Sequence, residues 1–163
     1  MQYHRMSKQA FVHDLVVPPP SLKGTQNVPK ANELFRQAKS FKDKGWGNDY
    51  VDNQRRAELL FQKILTTYPN SDKISDMAYQ LGDLYEGRAY QQYALAAVFF
   101  ERCYQWNPRT QHDARMRAAR LYERQLNERQ KAAEIYKEIT THETDERRIE
   151  EARRRMQELS NRR

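Results

Sequence analysis

Residues 81–108, LGDLYEGRAYQQYALAAVFFERCYQWNP, contain the pattern that decides the fold of this chain. The second half of the stretch places small, aromatic and apolar residues at helical spacing before a closing proline. The pattern occurs three times, as Ala57-x3-Phe61-x2-Ile64-x4-Pro69, Ala96-x3-Phe100-x2-Cys103-x4-Pro108 and Ala132-x3-Tyr136-x2-Ile139. Its aromatic positions are 39 and then 36 residues apart. Self-similarity at such a period is typical of stacked helical repeats.

A second pattern precedes each copy of the first. In it a small residue is followed three positions later by an aromatic one, as Ala38-x2-Phe41, Gly82-x2-Tyr85 and Ala119-x2-Tyr122. Spacings of three and four residues place side chains on one face of a helix. We expect the small residue to let two helices approach closely while the aromatic ring fills the groove beside it. Each unit is therefore predicted to be an antiparallel pair of helices.

These two patterns resemble the tetratricopeptide repeat family over about residues 30–144. The second unit matches best, through Leu81-Gly82-x2-Tyr85 followed by Ala96-x3-Phe100-x2-Cys103-x4-Pro108. The chain departs from the family in the longer turns of its first two units, in Arg115 at a usually apolar position, and in Thr144 in place of the closing proline. The resemblance implies an all-α fold, a right-handed superhelical stack of antiparallel helix pairs.

We predict three parts in the chain. Residues 1–29 form an extended, proline-containing leader, residues 30–144 form three helix pairs, and residues 145–163 form a capping helix that closes the stack. About seven helices are expected, near residues 30–44, 52–68, 72–86, 90–106, 111–125, 127 or 129 to 140, and 145–160. The second of these has Asp52 or Asn53 as its candidate N-cap, and Gly45 is expected to stop the first.

The leader combines apolar residues with a proline run. Pro18-Pro19-Pro20 imposes an extended polyproline geometry on it. One interpretation is a disordered connection. The alternative is a strap that packs on a neighbouring domain or subunit through Phe11, Leu15 and Val17.

The charge of the chain is uneven. Its net charge is +7 over 163 residues, and residues 46–100 carry −2 between flanks of +5 and +4. Such a balance suits nucleic acid, anionic lipid or acidic proteins as partners, but alternating Arg and Glu are also typical of a solvated helix surface. No stretch approaches the roughly 18 apolar residues of a membrane span, and the N-terminus lacks the apolar region of a signal peptide.

Catalytic constellations are not found in the sequence. The four His residues are scattered, no His, Cys and Asp set has metal-ligand spacing, and no glycine-rich phosphate loop precedes a helix. Cys103 falls on the apolar stripe of a predicted helix, where it acts as a small hydrophobic residue. We therefore expect neither an enzyme nor a bound metal or cofactor.

The resemblance implies that partners bind on the concave face, lined by the first helix of each pair. One large side chain per helix is a candidate anchor for a partner, and its alternative role is packing against the next unit. The turn around residues 45–50 is a second candidate surface, through Trp46 and Tyr50. The predicted groove residues are Phe35, Lys39, Lys42, Asp76, Tyr79, Asp83, Glu86, Met116, Arg120 and Arg124.

The leading hypothesis is a non-enzymatic scaffold that binds a protein partner in the groove or at the first turn, with leader residues 10–20 as a further contact. Tyr68-Pro69-Asn70-Ser71 and the helix after it resemble bacterial envelope tetratricopeptide proteins. That resemblance implies a bacterial scaffold, periplasmic if the chain is part of a longer secreted protein and cytoplasmic otherwise. The alternatives are RNA binding through the basic C-terminal helices and structural self-assembly as a homo-oligomer.

Overall fold

The computed structural model describes residues 15–44 and 47–161. Within these ranges the regular secondary structure consists of seven helices and one isolated bridge. The helices are α1 (Pro29–Lys42), α2 (Tyr50–Thr67), α3 (Ile74–Glu86), α4 (Tyr93–Trp106), α5 (Ala114–Arg124), α6 (Arg129–His142) and α7 (Glu146–Asn161). The prediction of an all-α fold with about seven helices is confirmed.

Helices that are adjacent in sequence pack against each other. The tightest partners are α1 with α2, α3 with α4, and α5 with α6, and contacts of α2 with α3 and of α4 with α5 join these pairs into a stack. Short connections between packed neighbours make each pair antiparallel. The last helix, α7, packs on α6 and buries Ala152 and Leu159, so it covers the apolar end of the third pair.

The repeated aromatic residues form the centre of the stack. Phe61, Phe100 and Tyr136 have no exposed surface. A Cβ added to Gly82 would lie 2.8 Å from the ring of Phe100, which is closer than two carbon atoms can approach. The small residue at this position therefore permits the contact between α3 and α4, as the sequence pattern predicted.

Arg115 stands at a position where the sequence pattern predicts an apolar residue, and its contacts explain why a charged residue fits there. The side chain is buried on α5, with its guanidinium 4.8 Å from the centre of the Tyr104 ring. It donates hydrogen bonds to the carbonyl of Pro108 (3.3 Å) and to Glu143 (3.4 Å). This one side chain thus links the turn before α5 to the turn before α7, which an apolar residue could not do.

Several helix starts differ from the predictions. Asp49, not Asp52 or Asn53, stands at the N-cap of α2, and Asn53 is buried with its N–H bonded to the carbonyl of Asp49. The predicted N-cap is therefore wrong, because the first turn of the helix already includes these residues. Helices α4 and α5 each begin three residues later than predicted, and before α4 the residue Gln91 adopts a left-handed backbone conformation (φ 51°). Gly45 lies outside the described residues.

Residues 15–28 of the leader lie against the helices of the same chain. Trp106 and Arg102, one turn apart on α4, donate side-chain hydrogen bonds of 2.9 Å to the carbonyls of Pro19 and Pro18, respectively. Leu15, Val17, Leu22 and Val28 pack partly buried against the core. Phe11, the other predicted contact of a strap, lies outside the described residues.

The second anchor of this segment is a single parallel bridge to the turn between α2 and α3. The N–H of Gln26 donates to the carbonyl of Asn70 (3.0 Å), and the N–H of Asp72 donates to the carbonyl of Gln26 (2.7 Å). Gly24 makes the approach possible, because a Cβ there would lie 2.3 Å from Ile74 Cγ2 and 2.4 Å from the carbonyl oxygen of Ser71. We call residues 15–28 the strap.

The change Gly24→Ala should detach the strap. Its methyl group would overlap a backbone oxygen, so we expect a loss of about 1–3 kcal/mol in the free energy of unfolding and faster amide exchange at Gln26 and Asp72. Chemical denaturation and hydrogen exchange measure both effects. Thr25→Ala, at the exposed neighbouring position, is the control and should change neither. Unchanged protection of Asp72 in Gly24→Ala would contradict the packing described.

A carboxyl group is buried between the first two pairs. Glu58 of α2 has no exposed surface and accepts hydrogen bonds from the hydroxyls of Tyr85 (2.9 Å) and Tyr90 (2.5 Å). Gln62 donates to the same carboxyl group (3.2 Å). Burial disfavours the charged form and raises the pKa of Glu58, although the bonds from Tyr90 and Tyr85 oppose this shift.

This carboxyl group should make stability depend on pH. Because the pKa of Glu58 is higher in the folded state, its stabilisation is present below the ordinary value of 4.5 and is lost as the pH rises through the folded pKa. The free energy of unfolding of the wild type, minus that of Glu58→Gln, should therefore fall as the pH rises from the ordinary value of 4.5 through the folded pKa. Denaturant titrations across this range measure the difference. Glu134→Gln changes an exposed residue and is the control. The free energy of unfolding of the wild type minus that of this variant should not change with pH.

Candidate functional site

Three of the predicted groove residues, on α1 and α3, meet an arginine of α5 in one ion network. Nη2 of Arg117 lies 2.7 Å from Asp83 Oδ1 and 2.8 Å from Glu86 Oε1. The other oxygen of Asp83 lies 2.5 Å from Lys42 Nζ, and the Lys42 side chain is only 13% exposed. We call Lys42, Asp83, Glu86 and Arg117 the Arg117 network. It connects the first helices of all three pairs across the face predicted to bind partners.

The electrostatics of this network favour its charged form. Burial opposes ionisation of Asp83, but the hydrogen bonds from Lys42 and Arg117 outweigh it and lower the pKa of the Asp83 carboxyl group. The pKa of Arg117 is raised, because its carboxylate partners and the Tyr79 hydroxyl outweigh the cost of burial. The cations and carboxylates of this region therefore satisfy one another at neutral pH.

Tyr79 is built into the contact between α3 and α5. Its hydroxyl donates to Asp113 (2.6 Å) and accepts from Arg117 (3.2 Å), and its ring stacks on His112 at a centroid distance of 4.1 Å. Burial, followed by the hydrogen bond to Asp113, raises the pKa of Tyr79 to about 12. Nε2 of His112 lies 3.0 Å from Asp76, so a second polar link runs beside the Arg117 network.

The three predicted apolar anchors all make contacts within the stack. Phe35 packs edge-on against Phe61, with ring centroids 5.9 Å apart, and Tyr79 makes the bonds just described. Met116 is 2% exposed, so the expectation that it projects outward is wrong. The alternative role, packing between helices, describes these side chains, because a short stack must bury one stripe of each helix on its neighbours.

A cavity of about 320 Å3 opens between α5 and α7. Nε of Arg120 is inaccessible to solvent and has no hydrogen-bond partner among the described residues. Arg148, in contrast, bonds to the carbonyls of Gln111 (2.9 Å) and His112 (3.4 Å). We call this space the Arg120 cavity, and its lining residues are Asp113, Met116, Arg120, Arg147, Arg148 and Glu151.

The other predicted site residues are spread over the surface. Lys39 is partly exposed on α1. The pKa of Asp76 is lowered mainly by its hydrogen bond to His112, and the charge of Lys39 adds a smaller effect. Arg124 is exposed at the end of α5. Tyr50 is the first residue of α2, not a turn residue, and its ring lies 4.3 Å below the guanidinium of Arg88. Trp46 lies outside the described residues.

The residues that connect the helix pairs were not predicted from the sequence. Arg117 was not among the predicted groove residues, because the spacing used for each helix placed Met116 and Arg120 outward instead. Glu58 lies on the buried stripe, three residues before Phe61, where a charge contradicts the apolar pattern. That contradiction is the only sequence signal for a buried polar cluster, and it does not identify the partners.

Several arginines of the C-terminal helix already have carboxylate partners. Arg148 pairs with Glu143 at 3.1 Å, Arg154 pairs with Glu151, and Arg155 pairs with Glu123. Glu123 lies on α5, so the Arg155 pair also fastens α7 to the third helix pair. Arg147 is exposed and makes no ion pair with any residue that the structure describes.

The remaining features that could carry function are the Cys103 thiol, metal-binding side chains and membrane-spanning helices. Burial raises the pKa of the Cys103 thiol to about 11, which keeps it protonated at neutral pH. Residues 15–44 and 47–161 contain no group of three His, Cys, Asp or Glu side chains placed to hold a metal ion. None of the described helices combines the length and apolarity needed to cross a membrane.

No protein-family model matches the chain, and comparison with curated proteins and with solved structures likewise finds no match.

The change Arg117→Gln should weaken the stack. It leaves Asp83 and Glu86 without their shared cation, and we expect a loss of about 1–3 kcal/mol in the free energy of unfolding at neutral pH and low salt. Because the pKa of Asp83 is lowered, its stabilisation is present above the ordinary value of 3.8 and is lost as the pH falls through the folded pKa. The difference from wild type should therefore shrink in acid.

Thermal or denaturant unfolding of the wild type and of Arg117→Gln, from neutral pH to below the ordinary value of 3.8, measures this difference in stability. Arg124→Gln is the matched control, because it makes the same substitution at an exposed position of the same helix. Equal losses in the two variants, or a loss for Arg117→Gln that persists in acid, would contradict the network as a source of stability.

Proposed function

We propose that this chain is a non-enzymatic scaffold of tetratricopeptide-like helix pairs that binds a segment of a protein partner on its concave face. The observation that carries the proposal is the difference between the two ends of that face. At α1 and α3 the charged side chains are paired within the Arg117 network. Between α5 and α7, Arg120 and Arg147 have no carboxylate partner among the described residues and border an open cavity.

Rigidity supports this proposal. The Arg117 network and the bond from Tyr79 to Asp113 hold three helices of the concave face at fixed spacing. A preorganised surface loses little conformational entropy when it binds a segment, so more of the interaction energy appears as affinity. The paired end acts as the rigid support, and the unpaired end offers the binding groups.

The two alternatives from the sequence receive less support. RNA binding needs a continuous run of cations for the phosphate backbone, but Arg148, Arg154 and Arg155 are paired with carboxylates. For self-assembly through a strap, the described part of the leader would have to leave the contacts that it makes with α4. Bacterial origin and the compartment stay predictions.

Site-specific photo-cross-linking tests the proposal. A photoreactive amino acid would replace Lys39 or Arg124 on the concave face, and Lys63, exposed on α2, in a matched control. We expect a protein partner in nuclease-treated lysate to cross-link from the two concave positions and not from position 63. The partner is identified by mass spectrometry, and a peptide that spans its cross-linked segment is then tested with the purified protein.

Three other outcomes would contradict the proposal, and each indicates a different kind of interaction. Cross-links only from position 63 would move the interface to the other face of the stack. Material that disappears with nuclease or moderate salt would support nucleic-acid binding instead. Cross-links between two copies of the chain, with a mass that depends on concentration, would support self-assembly.

A further inference from the structure

We propose that the Arg120 cavity is a binding site for an acidic side chain of an extended partner segment, held by Arg120 and Arg147. The inference rests on the proposed function and adds the chemistry of the partner: a peptide with Asp or Glu at the position that enters the cavity. The sequence predicted Arg120 as a groove residue, but it did not bring Arg147 of the C-terminal helix beside it.

The lack of a carboxylate partner for Arg120 is the first argument. Arg117, one turn earlier on the same helix, has two carboxylate partners. Arg120 has none among the described residues, and its side chain lines a space of about 320 Å3. A carboxylate that a partner places in this space would give the Arg120 guanidinium the opposite charge that Arg117 already has.

The charges around the cavity are the second argument. Its two acidic residues are already engaged, since Asp113 accepts from Tyr79 and Glu151 pairs with Arg154. Arg148 is fixed by backbone carbonyls and by Glu143, so it contributes positive charge without being displaced. Arg120 and Arg147 are therefore the two groups able to donate to a ligand. Guanidinium groups bind carboxylates through two parallel hydrogen bonds, which gives both strength and direction.

The surroundings favour a peptide over a nucleic acid. Buried Met116 lines the cavity beside the arginines, and a thioether suits the methylene groups of an acidic side chain better than a phosphate. Towards α3 the cations are already paired with carboxylates, so this end of the face offers no free positive charge to a continuous phosphate backbone. A segment with a single carboxylate at the cavity needs only Arg120 and Arg147.

Binding of defined peptides to the full chain tests the inference. The probe is a short, fluorescently labelled peptide with one central Glu flanked by Gly and Ser, and its C-terminus is amidated so that only the side-chain carboxylate is offered. The matched probe has Gln at the Glu position. Fluorescence anisotropy at moderate salt, with and without a competing oligouridine RNA, gives the dissociation constants.

We expect the Glu peptide to bind and the Gln peptide to bind at least about tenfold more weakly. Arg120→Gln and Arg147→Gln should each weaken binding of the Glu peptide about tenfold. Arg153→Gln, the same substitution at an exposed position of α7, is the control and should leave it unchanged. Arg120→Lys keeps the charge but cannot form two parallel hydrogen bonds to a carboxylate, so it should restore only part of the affinity.

The opposite results would overturn the inference. They are absence of binding, equal binding of the two peptides, equal effects of all three arginine substitutions, or stronger binding of the RNA at the same site. Circular dichroism of Arg120→Gln checks the fold, and Arg147→Gln, at an exposed position, remains informative if that variant unfolds. Cross-links from positions 39 and 124 could persist while Arg120→Gln and Arg147→Gln bind the Glu peptide as tightly as the wild type. In that case the acidic ligand is wrong and the proposed function stands.

Discussion

The structure depends on the contact between a repeated aromatic ring and the small residue that faces it from the partner helix. At Gly82 and Phe100 there is no room for even a Cβ, so α3 and α4 approach as closely as backbone and ring allow. A short stack has no deep centre, and each pair must bury its apolar stripe on the next pair. The order of the seven helices and the closure of the stack by α7 follow from this constraint.

Polar contacts then connect the pairs. Arg117 bonds to two carboxylates of α3, Arg115 bridges two turns, and Glu58 accepts two tyrosine hydroxyls at the junction of the first two pairs. Buried charges contribute to stability only when their partners are present, and removing one partner is costly. These charged side chains therefore have a structural role. Arg120 and Arg147 differ from them, because neither has a carboxylate partner among the described residues.

The parts of the fold that depend on local spacing could be predicted from the sequence. The positions of Phe61, Phe100 and Tyr136 indicated the core, and Asn107 before Pro108 ended α4 as expected. Predictions that required knowledge of the surroundings were weaker. Met116 was expected on the surface and is buried, because helical spacing gives the face of a residue and not what covers that face. The contacts of the strap with α4 join residues more than eighty positions apart, and no local pattern encodes them.

By itself, the sequence determined the fold class, the pairing of helices and the buried stripe, because these follow from the periodic placement of small and apolar residues. The tertiary structure decided which charges are neutralised within the chain and which have no carboxylate partner among the described residues. Arg117 and Arg120 are three residues apart and chemically identical, yet one meets Asp83 and Glu86 while the other borders an open cavity. The difference arises from the helices that stand opposite each side chain, and only the folded stack brings those helices into place.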